Sequence, residues 1–259
     1  MKNITVILPL HKLDDDYKVM LDNALSSIED FHNDVKVSIV CPSKLKKDLE
    51  NLSEKLEIEI VVNKGETDFC SQVNLGIEKC DTEWFSILEV DDEFRPIWLK
   101  STNEYMKIYK DVDVFLPIVR DINTDGKFVS FTNESAWAYG FTEMQGFIDN
   151  EVLLDFQNYQ ISGGLYRTQI IKDNGSLKEN IKLTFAYEFF LRLTHNGIRV
   201  MTVPKIGYQH VNLREDSLFW GYKNIEKQKL SENEVKFWLE TAKKEFFFKN
   251  KRDVNYETV

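Results

Sequence analysis

The chain has 259 residues, of which 42% are hydrophobic and 13% aromatic, enough for one large α/β domain with a sizeable core. Its formal net charge of -10 argues against broad binding to a phosphate backbone, which needs a basic face. Because no apolar run is long enough to span a bilayer and the start lacks a secretory cleavage site, we expect a cytoplasmic protein without a transmembrane segment. Cys41, Cys70 and Cys80 lack the spacing of a zinc site or a disulfide framework, which predicts free thiols.

Residues 1–100 alternate between short apolar runs and amphipathic segments. The predicted strands are Ile4–Leu10, Val35–Cys41, Ile58–Val62 and Trp84–Leu88. The predicted helices between them are Asp14–Phe31, Lys44–Leu56 and Phe69–Lys79. Such alternation is typical of an α/β fold, so we expect a mostly parallel central sheet with helices on both faces.

The remainder of the chain is more mixed. The predicted strands here are Val112–Val119, Lys127–Phe131 and Arg199–Val203, and Ser162–Gly164 precedes a further segment, Leu165–Ile171. Phe185–Asn196 has the period of an amphipathic helix, and Gly197 fits its C-terminal cap. Ser231–Lys249 predicts a charged C-terminal helix. We therefore expect one domain over residues 1–225 and a helical extension over residues 226–259.

An acidic cluster, Glu89–Glu93, follows directly on the fourth predicted strand and places four carboxylates within five residues. In sheets of this kind ligands bind beyond the carboxyl ends of the strands. Mg²⁺ and Mn²⁺ take oxygen ligands and often bridge carboxylates to a substrate phosphate. The cluster therefore indicates a divalent metal site, with a solvated acidic turn as the alternative.

Six segments together resemble family-two glycosyltransferases, which have the GT-A fold and a DxD metal motif. The segment WFSILEVDDEFRPIWL, Trp84–Leu99, is similar to the acidic motif of that family and its surroundings. The other similar segments are Ile4–Leu13, Val61–Ile77, Ser162–Ile171, Glu188–Gly197 and Tyr208–Leu218. The resemblance covers residue 3 to about residue 220. It implies a metal-dependent enzyme that moves a sugar from a nucleotide-diphosphate-sugar, with a UDP-sugar favoured, to an acceptor hydroxyl, with inversion.

The resemblance also implies roles for individual residues. The implied metal ligands for Mn²⁺ or Mg²⁺ are Asp91, Glu89 and His210; the alternative for His210 is an ordinary strand-edge histidine. The implied donor-binding residues are Pro9, Leu10, His11, Asn63, Gly65, Asn74, Glu89, Val90, Asp91 and Arg214. Asn74 could equally pack a helix, and Arg214 and Ser217, which suit diphosphate oxygens, could lie in a solvated loop. Residues 1–100 would form the nucleotide-sugar half and residues 101–225 the acceptor half, with Trp137, Gly163 and Gly164 on the acceptor side.

Three positions depart from the family pattern. Cys41-Pro42-Ser43 stands where an aspartate that reads the base is common, and Val73 where an arginine is common. Ala186 stands where the family has its general base. Glu188, near the start of the same helix, is our candidate for that base, because a helix N-terminus keeps a carboxylate ionised. The predicted catalytic residues are therefore Glu188 and the metal-binding Asp91. The alternative role for Glu188 is an i,i+4 pair with Arg192.

Two other classes of function compete with the transferase. Ala186 favours a GT-A-like protein that binds a nucleotide-sugar or acts as a scaffold without turnover. A nucleotidyltransferase ranks below both, because the loop Leu10–Leu13 has no glycine to hold phosphates. We expect the acceptor to be a glycan, and less readily a protein or a modified nucleic-acid base, which would have to reach a deep pocket.

Overall fold

A computed structural model describes residues 2–212 except positions 50, 51, 53, 54, 66, 141 and 143, together with residues 214, 236 and 240. In the region of the predicted C-terminal helix it describes Lys236 and Glu240, which are helical and exposed. The rest of that helix, the boundary at residue 225 and Ser217 lie outside the described residues. The division into one domain over residues 1–225 and a helical extension therefore stays a prediction.

The amino-terminal half follows the predicted alternation. Its elements are β1 (Ile4–Pro9), α1 (Asp15–Ser26), β2 (Val35–Pro42), β3 (Ile58–Asn63), α2 (Phe69–Lys79) and β4 (Trp84–Ile87). The side chains of Asp14 and Asp68 cap the first turns of α1 and α2. The helix predicted over Lys44–Leu56 is wrong at its start, because Ser43–Leu49 forms a 3-10 helix in which only Leu45 and Leu49 are buried.

The second half adds six strands and four helices among the described residues. They are β5 (Glu93–Phe94), α3 (Trp98–Ile108), β6 (Val114–Ile122), β7 (Phe128–Thr132), β8 (Phe147–Ile148), α4 (Asn150–Asp155), β9 (Leu165–Arg167), α5 (Thr168–Asp173), α6 (Phe185–His195) and β10 (Val200–Val211). The strand predicted at Arg199–Val203 is much longer, because register shifts around Ile206 let the pairing with β6 continue past Pro204 and Gly207 to Val211.

The sheet has the order β3-β2-β1-β4-β9-β6-β10-β5, with β7 on β6 and β8 on β10. Neighbours among β1 to β4 are parallel, as are β6 and β10. Strands β5, β7, β8 and β9 pair antiparallel with their neighbours. The α/β fold class is confirmed, while the predicted parallel character describes the first four strands; the second half is mixed, since β6 returns to β7 through a tight turn rather than a crossover helix.

Each face of the sheet packs on its own apolar cluster. On one side Val6 and Leu8 pack in the cluster that contains Leu21 of α1 and Trp98 of α3. On the other side Ile7 packs in the cluster that contains residues of α2, α5 and α6. The helices thus fix the sheet from both sides and leave the carboxyl ends of its parallel strands as an edge where side chains can converge. Among the described residues, no helix combines the length and apolar character that crossing a membrane requires.

Candidate active site

The acidic cluster forms a tight turn between β4 and β5. The Leu88 N–H donates to the carbonyl of Ile7, and the Asp92 N–H donates to the carbonyl of Glu89. Directly after this turn, β5 pairs with β10, so that Glu93 lies opposite Gln209. The turn is therefore held at both ends, and its carboxylates have fixed positions at the carboxyl edge of the sheet.

Two hydroxyl groups distant in sequence orient Glu89. The Ser162 hydroxyl donates to Glu89 Oε1 at 2.6 Å, and the backbone N–H of Glu89 donates to the Tyr208 hydroxyl at 3.0 Å. Gly163 makes this approach possible, because it has a φ of +77° and a Cβ there would lie 2.5 Å from the Tyr208 ring. Ser162 and Tyr208 were not predicted as site residues, although the pair Gly163-Gly164 signals a close backbone approach.

Asp92 fixes the ring of His210. The Asp92 side chain is completely buried, and His210 Nδ1 lies 3.0 Å from its Oδ2. The backbone N–H of Val211 donates to the other carboxylate oxygen at 2.9 Å. A carboxylate that holds one ring nitrogen fixes the orientation of the other, as is usual for histidine ligands of metals.

The cluster carries more negative charge than its surroundings neutralise. Burial raises the pKa of Glu89 to about 7, and the charge of Asp92 acts in the same direction. Burial also raises the pKa of Asp91 to about 6, again with Asp92 adding to the effect, although Arg214 opposes it. For His210, burial lowers the pKa, but the charges of Asp92, Glu89 and Asp91 outweigh that effect and raise it to about 10. A cation bound here would relieve this crowding of carboxylates.

The donor atoms suit a hard divalent cation. Glu89, Asp92 and His210 each offer one ligand atom, and these atoms lie within 4.8 Å of one another. Of the predicted ligands, the structure thus brings Glu89 and His210 together, with Asp92 as the third member. Oxygen ligands with one imidazole fit Mn²⁺ and Mg²⁺.

Asp91, the other predicted ligand, pairs with Arg214. Arg214 Nη1 lies 3.1 Å from Asp91 Oδ2, with both side chains nearly buried. Arg214 also donates to the Tyr17 hydroxyl at 2.6 Å and lies over the Tyr17 ring. The predicted diphosphate-binding arginine is therefore next to the acidic cluster, where an anionic donor would meet a guanidinium as well as carboxylates.

The predicted residues of the first nucleotide loop lie at the end of β1. The Leu10 and Val90 side chains are buried in the core, and the Leu10 N–H donates to the carbonyl of Val40. His11 is half-buried, with its ring edge-on to Tyr17 at a centroid distance of 5.3 Å. Pro9 is the last residue of the strand. Leu10 and Val90 thus offer a ligand only backbone groups, whereas His11 offers a ring beside the aromatic partner of Arg214.

The residues after β3 that were predicted to bind the donor lie in two different places. Asn63 accepts from the Gly65 N–H at 2.9 Å, which forms a local turn at the end of β3. Asn74 instead contacts the connection between α5 and α6: it donates to the carbonyl of Leu177 at 2.8 Å and accepts from the Leu177 N–H at 2.9 Å. The amide also donates to Glu179. These contacts are those of the packing role that the sequence left open for Asn74.

Glu188, the predicted base, is fully buried inside α6. Its two oxygens accept from Arg192 at 2.9 and 3.1 Å. Lys178 Nζ lies 3.1 Å from Oε1 of the same carboxylate. Arg192 in turn donates to three consecutive backbone carbonyls, from Asn174 to Ser176. This geometry favours the pairing role over the catalytic one, since both oxygens are already engaged by cations.

The predicted acceptor residues lie in different surroundings. Gly163 and Gly164 are part of the loop that brings Ser162 to Glu89, so they lie beside the cluster. Trp137 donates its indole N–H to the carbonyl of Thr202 at 2.8 Å. Thr202 is near the amino end of β10, whereas His210 is near its carboxyl end. The structure therefore does not bring Trp137 to the cluster.

Carboxylates, a histidine and an arginine thus converge at the carboxyl edge of an α/β sheet, where proteins of this class bind their ligands. The sequence matches Glycosyl transferase family 2 over residues 6–173, more than half of the chain, and the protein belongs to that family. The resemblance stated from the sequence, including the predicted glycosyltransferase class, is confirmed at the level of the family. A comparison with curated proteins found no match.

Solved structures with the GT-A fold are similar to most of the chain. S. aureus TarS 1-349 in complex with UDP-GlcNAc is 16% identical, with a TM-score of 0.66, and the match covers 93% of this chain and 66% of that one. The mannosyltransferase PcManGT from Pyrobaculum calidifontis, in complex with GDP-Man and Mn²⁺, is 10% identical, with a TM-score of 0.62 and coverage of 84% and 59%. The chain thus spans less than two thirds of either relative, and the likeness confirms the GT-A fold.

Proposed function

We propose that this protein is a metal-dependent glycosyltransferase that moves a sugar from a nucleotide-diphosphate-sugar to an acceptor hydroxyl with inversion. The observation that carries the proposal is the convergence of Glu89, Asp92 and His210 within 4.8 Å at the carboxyl edge of the sheet. In a member of family two, this is where a cation and a diphosphate would meet.

The site residues have distinct roles in this reaction. Glu89, Asp92 and His210, with Asp91 when Arg214 releases it, would hold Mn²⁺ or Mg²⁺, which neutralises the charge that grows on a departing diphosphate. Ser162 and Tyr208 keep Glu89 in place through their hydroxyl groups. The guanidinium of Arg214 is near enough to Asp91 to contact diphosphate oxygens bound at the same carboxylates.

The favoured donor is a UDP-sugar. The TarS structure holds UDP-GlcNAc and the PcManGT structure holds GDP-Man with Mn²⁺. Both relatives support a nucleotide-sugar as the donor here. The sequence resemblance favours uridine, and the residues around His11 and Asn63 would contact the nucleoside. A glycan is the acceptor that the resemblance implies.

A second candidate function is binding of a nucleotide-sugar without turnover. It is favoured by Ala186 at the position of the family base and by the ion pairs that occupy Glu188. The two candidates share the donor site and differ in whether the sugar leaves the nucleotide.

The test measures release of UDP from a panel of UDP-sugars and GDP-sugars with Mn²⁺, with Mg²⁺ and with EDTA. If the protein is a transferase, we expect slow donor hydrolysis that requires the metal, because water takes the place of the missing acceptor. Asp91→Asn and Glu89→Gln should each reduce it at least tenfold, whereas Glu57→Gln, an exposed carboxylate at the opposite edge of the sheet, should not. A metal-dependent rise in Tm with UDP but no hydrolysis of any donor would establish the binding protein instead.

A further inference from the structure

The side chain of Tyr17 connects the first turn of α1 to the loop after β1 and to Arg214. Tyr17 is completely buried, and its backbone N–H donates to the Asp14 side chain that caps α1. Its ring packs in the same apolar cluster as Leu21 of that helix. Because close packing and a capped helix hold the ring in place, the groups that contact it share a rigid support.

The Tyr17 hydroxyl joins two residues that were predicted to bind the donor. Arg214 Nη2 donates to the hydroxyl oxygen at 2.6 Å in a buried bond. His11 Nε2 lies 3.4 Å from the same oxygen. A phenol that accepts from a guanidinium can still donate its own proton, and a neutral imidazole is a suitable acceptor. The hydroxyl therefore connects Arg214 to the first nucleotide loop.

The Tyr17 ring is also in contact with two cations. Arg214 Cζ is 5.0 Å from the ring centroid, and Lys12 Nζ is 4.3 Å from it. Lys12 pairs in addition with Asp14, at 3.3 Å, in front of the same helix. An aromatic face attracts cations within about 6 Å of its centroid. A single buried side chain thus gathers two positive charges around it.

Arg214 is the link between Tyr17 and the carboxylates of the acidic cluster. Its Nη1 atom lies 3.1 Å from Asp91 Oδ2, while its Nη2 atom is bonded to Tyr17. The guanidinium is planar, so a partner that holds one nitrogen also fixes the direction of the others. A long side chain loses conformational freedom when it binds an anion, and a partner that orders it beforehand reduces that cost. Arg214 is therefore preorganised beside Asp91.

We propose that Tyr17 is a positioning residue of the donor site, whose hydroxyl keeps Arg214 beside Asp91 in readiness for a nucleoside diphosphate. The inference rests on the proposed function, in which Arg214 contacts the diphosphate, and it gives Tyr17 a role that the sequence did not indicate. Tyr17 acts through Arg214, since its own side chain is completely buried. Loss of the hydroxyl should therefore weaken binding of the diphosphate and not of the nucleoside.

Tyr17→Phe tests this role, because it removes the hydroxyl and keeps the ring. Calorimetric titration with Mn²⁺ and the tighter-binding of UDP and GDP should show a loss of nucleotide affinity of about tenfold, the usual effect of a lost hydrogen bond to a charged group. The affinity for the corresponding nucleoside should stay within twofold. Tyr187→Phe is the matched control: it removes a buried hydroxyl that donates to the carbonyl of Leu153 at 2.6 Å, and it should bind the nucleotide like wild type.

A double-mutant cycle with Arg214→Met separates positioning from a general structural effect. If Tyr17 acts through Arg214, Tyr17→Phe should change nucleotide affinity less than twofold in the Arg214→Met background. An equal loss in both backgrounds would overturn the inference. Wild-type nucleotide affinity in Tyr17→Phe, or the same loss for nucleotide and nucleoside, would overturn it as well.

Donor hydrolysis with Mn²⁺ tests the proposed function separately from the role of Tyr17. If wild type hydrolyses a donor but the cycle shows no coupling between Tyr17 and Arg214, the inference fails and the transferase stands. If wild type binds the nucleotide with the expected coupling but hydrolyses no donor, the transferase fails and the role of Tyr17 stands. A wild type that binds neither UDP nor GDP would overturn both.

Discussion

His210 is held by Asp92 through its Nδ1 atom at 3.0 Å, and the carboxylate that holds it is completely shielded from solvent. Because Asp92 accepts the hydrogen bond from Nδ1, Nε2 is the nitrogen that loses its proton when a cation binds, and its lone pair can then bind that cation. The pair thus prepares an imidazole ligand at the carboxyl end of β10.

Asp92→Asn should weaken Mn²⁺ binding about 10–100-fold, the usual effect of removing the partner of a metal-binding histidine. The amide would donate to Nδ1 and force the proton onto Nε2, which then cannot bind a metal. Calorimetric titration of Mn²⁺ in the presence of UDP measures the effect. Asp34→Asn, an exposed position at the amino end of β2, is the matched control. Equal Mn²⁺ affinity in wild type and Asp92→Asn would contradict this role.

Glu188→Gln distinguishes the two roles of that carboxylate. If Glu188 only pairs with Arg192 and Lys178, the variant should lose about 3 kcal/mol of unfolding free energy, since a buried cation would lose its partner. Donor hydrolysis below the Tm should then change less than threefold. If Glu188 is the general base, sugar transfer should instead fall about 100-fold or more. Urea denaturation and initial rates decide between these results, and Arg192→Met should reproduce the loss of stability but not a loss of base catalysis.

Asn74→Ala should destabilise the protein by about 1–3 kcal/mol, because the N–H and C=O of Leu177 would lose their partner. Asn74→Asp retains the acceptor for the Leu177 N–H but loses the donor and faces Glu179, so it should fall between wild type and alanine. Urea denaturation gives the stability, and UDP titration gives the affinity. A tenfold loss of UDP affinity with unchanged stability would restore the nucleoside contact that the sequence resemblance implies.

The parts of the site that depend on local sequence were predictable. The apolar run Trp84–Leu88 fixes where β4 ends, and the carboxylates that follow it necessarily lie at the edge of the sheet. The contacts from Ser162 and Tyr208 were not predictable, because they join residues 73 and 119 positions away from Glu89. They depend on the positive φ of Gly163 and on the irregular register of β10, which continues the strand beyond Pro204. A strand register and a loop position that depend on distant residues leave no periodic signal in the sequence.

Trp137 is another residue whose surroundings could not be predicted from the sequence. Its place in an aromatic stretch suggested the acceptor side, but the indole packs against the core and bonds to Thr202. Phe128 and Phe131 of β7, by contrast, are exposed rings. Composition cannot tell a buried aromatic residue from an exposed one, because the neighbouring strands decide which face is covered.

The pH dependence of stability offers a prediction outside the active site, at Asp68. Asp68 caps α2, accepts from the N–H and hydroxyl of Ser71, and pairs with Lys182 at 3.3 Å. Burial tends to raise the pKa of Asp68, but the hydrogen bonds from Ser71 and the charge of Lys182 outweigh it and lower the pKa. A carboxylate whose pKa is lower in the folded state stabilises the fold above its unfolded pKa, about 3.9, and loses that contribution as the pH falls through the folded value.

Asp68→Asn isolates this charge, because asparagine caps a helix about as well as aspartate. Wild type should have a higher Tm than Asp68→Asn by a constant amount between about pH 5 and 8, and the difference should shrink below about pH 4. Asp68→Ala removes the cap as well and should cost about 1 kcal/mol more, with that extra loss remaining at low pH. Scanning calorimetry across this range tests the prediction, and a wild-type advantage that grows on acidification would show that Lys182 does not stabilise the ionised carboxylate.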